Sequence, residues 1–328
     1  MRKKYIKYYN VINNKIYDDK NNEIINEELN KIIIKYKPPS HLHDIKLIAK
    51  NIKEADNGIV YIGLDSTNKK QYIYGINFVT NRKKNKIKTF LKVNQKIPDI
   101  ERYIKKELDI FNKSDNPKIS INTLFAVILL MEMNFFIRTG KKKYLNDNET
   151  IGLLTLQKSN FTFNNDKYID ILFKGKKKQL QQFTVDKENH KLLYKILKLL
   201  INNTEDFIFK TTDNILFSES KMYQMMKMFS ISLKDIRTFG VNRILINELW
   251  KAMQLIDISY IKKNDIRRMI TDVINKTANI IGHTPSISKK SYIVDELRSI
   301  ITPDLFIYKD TSFKDFYNII IKKLTESI

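Results

Sequence analysis

Cysteine is absent from the 328 residues, which excludes disulfides and thiolate metal sites and makes an intracellular compartment the simple expectation. Glycine and proline are scarce, at 8 and 6, so the few that occur punctuate the chain. No segment approaches the ~20 consecutive apolar residues that span a bilayer; the longest apolar run, Leu124 to Met131, is broken by Glu132. The start, Met1-Arg2-Lys3-Lys4-Tyr5, is basic but is not followed by the apolar run of a signal peptide. Neither an internal repeat nor a low-complexity linker is present.

What is abundant is positive charge. Lys and Arg outnumber Asp and Glu by 59 to 36, a formal net charge of +23. The chain is 42% hydrophobic, 11% aromatic and 29% charged, a globular composition able to supply real cores. A compact body with that imbalance repels itself, a cost offset when the partner is a polyanion. Duplex DNA, with one charge per ~1.7 Å of axis, fits. An anionic membrane surface is the rival partner, but no basic amphipathic anchor stands apart from the fold. The richness in Lys, Asn and Ile also points to an AT-rich coding sequence, which contributes part of the charge.

The pattern along the chain predicts two domains, residues 1–83 and 84–328. The first begins with a β-like segment, Tyr5 to Tyr17, and a helix over Glu23 to Ile34 ended by Pro38-Pro39. Ile59 to Gly63 and Gln71 to Val79 alternate with period two and read as strands around the turn-forming Asp65 to Lys70. Arg82 to Lys86 reads as a basic, loop-like boundary, followed by mainly helical sequence. Leu124 to Ile137 predicts a buried helix stopped at Thr139-Gly140, leaving Arg138 at its end. Leu153–Leu156, Phe161–Phe163, Tyr168–Phe173 and Gln179–Val185 read as short strands, with Gly175 in the last turn. Helices resume from Asn189, with a loop around Gly282-His283-Thr284-Pro285. The expected fold class is α+β: a small β-rich N-terminal domain and a larger, mainly helical domain carrying a small antiparallel sheet.

Four segments hold residues suited to chemistry, and each has a plain alternative. Gly282-His283 followed by Tyr292 is either a site or a helix N-terminus with a buried tyrosine. Lys234-Asp235-Ile236-Arg237 is either a site or a basic helix facing solvent. Arg138 closes an apolar helix, and burying an unpaired guanidinium is costly, so it meets either an internal carboxylate or an anion in a cleft. Phe173-Lys174-Gly175-Lys176-Lys177-Lys178 is a hairpin tip whose default is a solvated turn. His41 and His43 suggest a metal pair only weakly, with Asp44 alone nearby, and no metal site is expected. His190 has no evident partner.

In order, Arg138, the hairpin Lys176, Lys234-x-x-Arg237, Gly282-His283 and Tyr292 resemble the constellation of type IB topoisomerases and tyrosine recombinases. Met131 to Lys141, Lys143-Tyr144-Leu145, Asn148 to Leu156 and Gly282 to Lys289 closely resemble the poxvirus-type DNA topoisomerase IB family, as do Asp65-Ser66 and Gln71 to Gly75. The resemblance runs from about Pro39 to the C-terminus and is loose in the first 37 residues and in 86–120. It implies a clamp around double-stranded DNA, relaxation of supercoils by transient single-strand cleavage, and no ATP, metal or other cofactor. Tyr292 is then the nucleophile, Arg138, Arg237 and His283 stabilise the transition state, and Lys176 is the general acid. Gln71, Tyr72, Tyr74, Arg82, Lys141, Lys143 and Tyr144 fall at DNA-contact positions, with Lys69 and Lys70 standing where an Arg pair is usual. The resemblance further implies a (C/T)CCTT cleavage site, a monomer without an obligate protein partner or membrane association, and residence in the virion and the cytoplasm of an infected cell. This chain departs from the family pattern at Phe239, where tyrosine is usual, and at Lys177, where aspartate is usual. A tyrosine recombinase usually carries His-x-x-Arg and a helical N-terminal domain, unlike Lys234-x-x-Arg237 and the strands at 59–79. A non-catalytic basic DNA-binding or packaging protein accounts for the charge but not for the ordered set.

Overall fold

Apolar residues on alternating positions build the first part of the chain around one antiparallel sheet. Strands β1 (Tyr9–Ile12) and β2 (Lys15–Tyr17) join through Asn13-Asn14, both left-handed at φ 49° and 62°, a conformation asparagine tolerates and a tight hairpin needs. Helix α1 (Glu27–Lys35) starts where the Asn26 side chain accepts from Leu29 N–H, and it buries Leu29, Ile32 and Ile33. Strand β3 (His43–Leu47), the short helix α2 (Ile52–Asn57) and strands β4 (Ile59–Leu64) and β5 (Lys70–Tyr74) follow. The sheet order is β2-β1-β3-β4-β5. Ile16, Ile32, Leu47, Val60 and Tyr61 are at most 1% exposed and form the centre of its core. The computed structural model describes residues 8–256, 262–282 and 284–327. The chain divides into two compact units, one ending at Asn85 and one starting at Lys86.

Helix α3 (Ile76–Lys113) corrects two expectations. The strand predicted to run to Val79 stops at Tyr74. Gly75 N–H donates to Gly58 O at 3.0 Å, Val79 N–H donates back to Gly75 O at 3.0 Å, and Ile76 N–H donates to the Tyr36 hydroxyl at 3.1 Å. These bonds turn the chain from the sheet into a helix. Arg82 to Lys86, read as a loop, lies inside that helix. Neither glycine nor proline interrupts residues 76–97, and Lys and Arg are good helix formers.

In the second unit α3 buries Ile87, Phe90, Val93, Ile97, Ile100, Ile104, Leu108 and Phe111 at helical spacing. Helix α4 (Ile121–Phe135) opens on a capping box of Ser120 and Thr123. It ends earlier than expected: Phe136, not Gly140, takes the left-handed cap at φ 50°. Helix α5 (Lys142–Asn148) follows. Leu153–Thr155 is a single 3-10 turn rather than a strand, because Leu153 and Leu154 N–H bond to the carbonyls of Arg138 and Thr139, both at 2.7 Å. Strands β6 (Phe161–Asn164), β7 (Tyr168–Lys174) and β8 (Leu180–Asp186) form the expected antiparallel sheet. Helices α6 (Lys191–Asn202), α7 (Glu219–Met226), α8 (Leu233–Gln254), α9 (Lys263–Ile281), α10 (Pro285–Ser291), α11 (Glu296–Ser299) and α12 (Phe313–Glu326) complete the unit. Helices α3, α4 and α8 and the sheet share one contiguous core. The fold class is α+β, as the pattern predicts.

Candidate active site

The hydroxyl of Thr284 caps α10 by accepting from Ile287 N–H at 3.3 Å, and Pro285 occupies the first turn, where a missing N–H costs nothing. Tyr292 is the residue after this helix, its N–H donating to Ser288 O at 3.1 Å. The backbone beyond it is held from two sides. Asn242 on α8 is fully buried; its Nδ2 donates to Tyr292 O at 3.0 Å and its Oδ1 accepts from Val294 N–H at 2.9 Å. Lys86 on α3 donates to Ile293 O at 2.8 Å and pairs with Asp295 at 3.0 Å. The Tyr292 ring, 8% exposed, therefore sits on a fixed backbone.

Arg237, also on α8, is 3% exposed and holds its guanidinium carbon 5.7 Å from the centroid of the Tyr292 ring. Burial lowers its pKa to about 10; the charge of Arg138 acts in the same direction, while Tyr292 and Glu132 oppose it. The guanidinium stays protonated at neutral pH. Of the two alternatives for Lys234–Arg237, the burial speaks against a helix that merely faces solvent: α8 turns Arg237 inward while Lys234 remains exposed. Glu132, which broke the apolar run in the sequence, is 1% exposed on α4. Burial pushes its carboxyl well above the ordinary range, against the pull of Arg237. Its Oε2 has no hydrogen-bond partner among the described residues.

Arg138 lies beyond the end of α4, half-buried, its carbonyl accepting from Leu153 N–H. It forms no ion pair among the described residues, so the internal carboxylate expected as one of its two possible partners is not observed. Phe136, two residues earlier, packs against Gly240, three residues after Arg237: a Cβ on Gly240 would lie 1.8 Å from the Phe136 ring. The two arginine-bearing segments are thus locked by one contact. Phe239 stacks on Phe90 at 5.6 Å and is buried, so the residue at this departure from the family pattern is a core residue here.

Lys176 stands exposed at the tip of the β7–β8 hairpin, without an ion pair among the described residues. His283 lies outside the described residues, between Gly282, which ends α9, and Thr284. The structure therefore brings together Arg237 and Tyr292, with Arg138 in electrostatic reach. Glu132 and Asn242 join them without having been singled out in the sequence.

In the first unit, Gln71 donates to Asp65 at 2.6 Å, and Lys69, Lys70 and Arg82 are exposed. Tyr72 stacks with Tyr74 at 6.5 Å, and Tyr74 with Phe78 at 4.6 Å, a ladder whose Phe78 rung sequence reasoning missed. In the second unit, Lys141 pairs with Glu219 at 2.6 Å and lies over the ring of Tyr223, whose hydroxyl donates to the same carboxylate at 2.7 Å. Lys143 and Tyr144 are exposed on α5. His43 Nε2 meets Asn68 Oδ1 at 3.0 Å, and His190 Nδ1 accepts from Asp186 N–H at 3.2 Å. Among the described residues no cluster of three or more His, Asp and Glu side chains is placed to hold a metal ion. A phenol beside a buried planar cation, with a second guanidinium nearby, suits a phosphodiester, whose oxygens accept forked donors.

Comparison with known proteins agrees with this chemistry. Residues 4–63 match the family described as viral DNA topoisomerase I, N-terminal, and residues 75–301 the family described as eukaryotic DNA topoisomerase I, catalytic core. DNA topoisomerase 1 of Rabbit fibroma virus (strain Kasza) is 35% identical over 322 residues, covering 95% of this chain and 96% of that relative. DNA topoisomerase 1B of Vaccinia virus (strain Copenhagen) is 34% identical over 295 residues, 89% of this chain and 88% of the relative. DNA topoisomerase 1B of Acanthamoeba polyphaga mimivirus is 25% identical over 326 residues, 95% and 92%.

Proposed function

The chain belongs to the type IB DNA topoisomerase family, and from that premise we propose that Tyr292 is the residue through which it cuts and reseals one strand of duplex DNA. The Tyr292 hydroxyl gives up its proton to solvent and its oxygen attacks the phosphorus in line. Negative charge grows on the non-bridging oxygens, where Arg237, Arg138 and His283 donate, an electrostatic stabilisation that takes the place of metal ions. The bond to the 5′ oxygen breaks, and Lys176 supplies the proton that so basic a leaving group needs. The products are a 3′-phosphotyrosyl link and a free 5′-hydroxyl. Because the covalent link retains the bond energy, the hydroxyl reverses the step without ATP after the DNA has rotated.

Residues 1–83 act as a DNA-binding domain and 84–328 as the catalytic domain. Gln71, Tyr72, Tyr74, Lys69, Lys70 and Arg82 contact the duplex from the first, and Lys141, Lys143 and Tyr144 from the second, with preference for a (C/T)CCTT site. The enzyme works as a monomer, in the virion and in the cytoplasm of the infected cell; the viral names of its relatives support that setting.

The observation that carries this reading is the buried guanidinium of Arg237 set 5.7 Å from the ring of Tyr292. The test is relaxation of a supercoiled plasmid in EDTA without ATP. The wild-type protein is expected to relax it and Tyr292→Phe to leave it supercoiled; relaxation undiminished by that substitution refutes the reading.

A further inference from the structure

Gln181 lies on β8, opposite Phe173 of β7, and is 6% exposed. A buried amide in a strand is costly unless bonded. Its Nε2 donates to Leu180 O at 3.1 Å and to Gly282 O at 3.3 Å. Gly282 precedes His283 and is held left-handed at φ 65°, a conformation that glycine takes without a Cβ penalty. A Cβ added there would meet Gln181 Oε1 at 2.5 Å, so the amide fits against the bare glycine backbone. At its other end the same side chain packs under Gly175, where a Cβ would lie 3.0 Å from Gln181 Cγ. Gly175 closes the hairpin by donating to Gln179 O at 2.8 Å and is followed directly by Lys176. One side chain therefore spans from the root of the lysine-bearing tip to the turn between α9 and α10, elements 101 residues apart in sequence.

We propose that Gln181 is a positioning residue that registers the Lys176 hairpin against the Gly282 turn, and so sets the delivery of the proton to the 5′ leaving oxygen. This rests on the reading of Lys176 as the general acid. The bond through Gly282 gives the exposed tip a fixed root, so the ammonium of Lys176 returns to one place at each cleavage. Without the amide the hairpin keeps its strand ladder and loses its reference to the turn.

The test compares single-turnover cleavage of two DNA substrates, one with oxygen and one with sulfur at the 5′ bridging position. A thiolate leaves without a proton, so the sulfur substrate bypasses the general acid. Gln181→Met, which keeps volume and removes the amide, is expected to slow the oxygen substrate about tenfold, as for one lost buried hydrogen bond. The same variant should cleave the sulfur substrate within about twofold of wild type, the separation expected of a defect confined to proton transfer. Equal slowing of both substrates, or slowing of neither, overturns the proposal. Should Gln181→Met fail to fold, Gln181→Asn, with its amide drawn back by one methylene, makes the same measurement. Lys176→Ala runs in parallel. If sulfur does not rescue it, the general-acid reading falls and the role of Gln181 falls with it. If sulfur rescues Lys176→Ala but not the Gln181 variant, only the positioning role is refuted.

Discussion

Glu132 is a buried carboxyl in electrostatic reach of Arg237, a cation that the proposed chemistry needs. Its folded pKa is raised above the ordinary 4.5 by burial. A raised carboxyl contributes stability that is complete below the unfolded value and is lost as pH rises through the folded one. Glu132→Gln removes that dependence. The melting temperature of the variant, relative to wild type, should therefore climb as pH rises above the ordinary carboxyl range; a difference that stays flat as pH rises contradicts the assignment. Lys141 supplies a second test at this scale. Its ammonium is engaged by Glu219 at 2.6 Å, although the proposed function gives it to DNA. Glu219→Gln should release it, tightening DNA binding and steepening the dependence of log affinity on log salt by about one, the increment of one more phosphate contact. Adding Lys141→Gln should cancel the change, and an unaltered slope in the single variant would show that Lys141 makes no phosphate contact.

Helix α8 organises the site because three residues within one and a half turns face different parts of it: Arg237 the ring of Tyr292, Gly240 the ring of Phe136, and Asn242 the backbone after Tyr292. Gly240→Ala would drive a methyl into Phe136, which is already left-handed at φ 50°. Overpacking of this kind costs about 1–3 kcal/mol, so the variant should melt earlier and form covalent adduct more slowly, as the Arg138 segment moves away from α8. Retention of both wild-type melting and wild-type adduct formation would separate the Phe136–Gly240 contact from the chemistry. The same contact explains a limit of the sequence reading. The apolar run of α4 and the alternation around Gly175 are local patterns, and both α4 and the β7–β8 hairpin were legible from them. The end of α4 was not, because the left-handed Phe136 that ends it packs its ring against Gly240, a contact far away in sequence. Likewise Ile76 to Val79 alternates like a strand and becomes helix through the hydroxyl of Tyr36, 40 residues away. Within the site, Arg237 and Tyr292 were legible as members of an ordered motif. Asn242, Glu132 and Gln181 were not: each matters through what it touches or faces across the fold, Asn242 bonding 50 residues away and Gln181 101.

For the whole molecule, a net charge of +23 supplies attraction to any nucleic acid but no chemistry, and a packaging protein would share it. Family membership and the Arg237–Tyr292 pair distinguish an enzyme from such a protein. DNA is the substrate of that family, and the proposed reaction turns on one covalent bond to it. The most direct measurement traps the cleaved complex on a DNA whose downstream fragment, bearing the 5′-hydroxyl, dissociates, then digests the protein and identifies the peptide that carries the nucleotide. A single modified residue, Tyr292, is expected in the peptide following α10, with no adduct formed by Tyr292→Phe. A nucleotide attached to any other residue, or an adduct of normal yield in Tyr292→Phe, would contradict it.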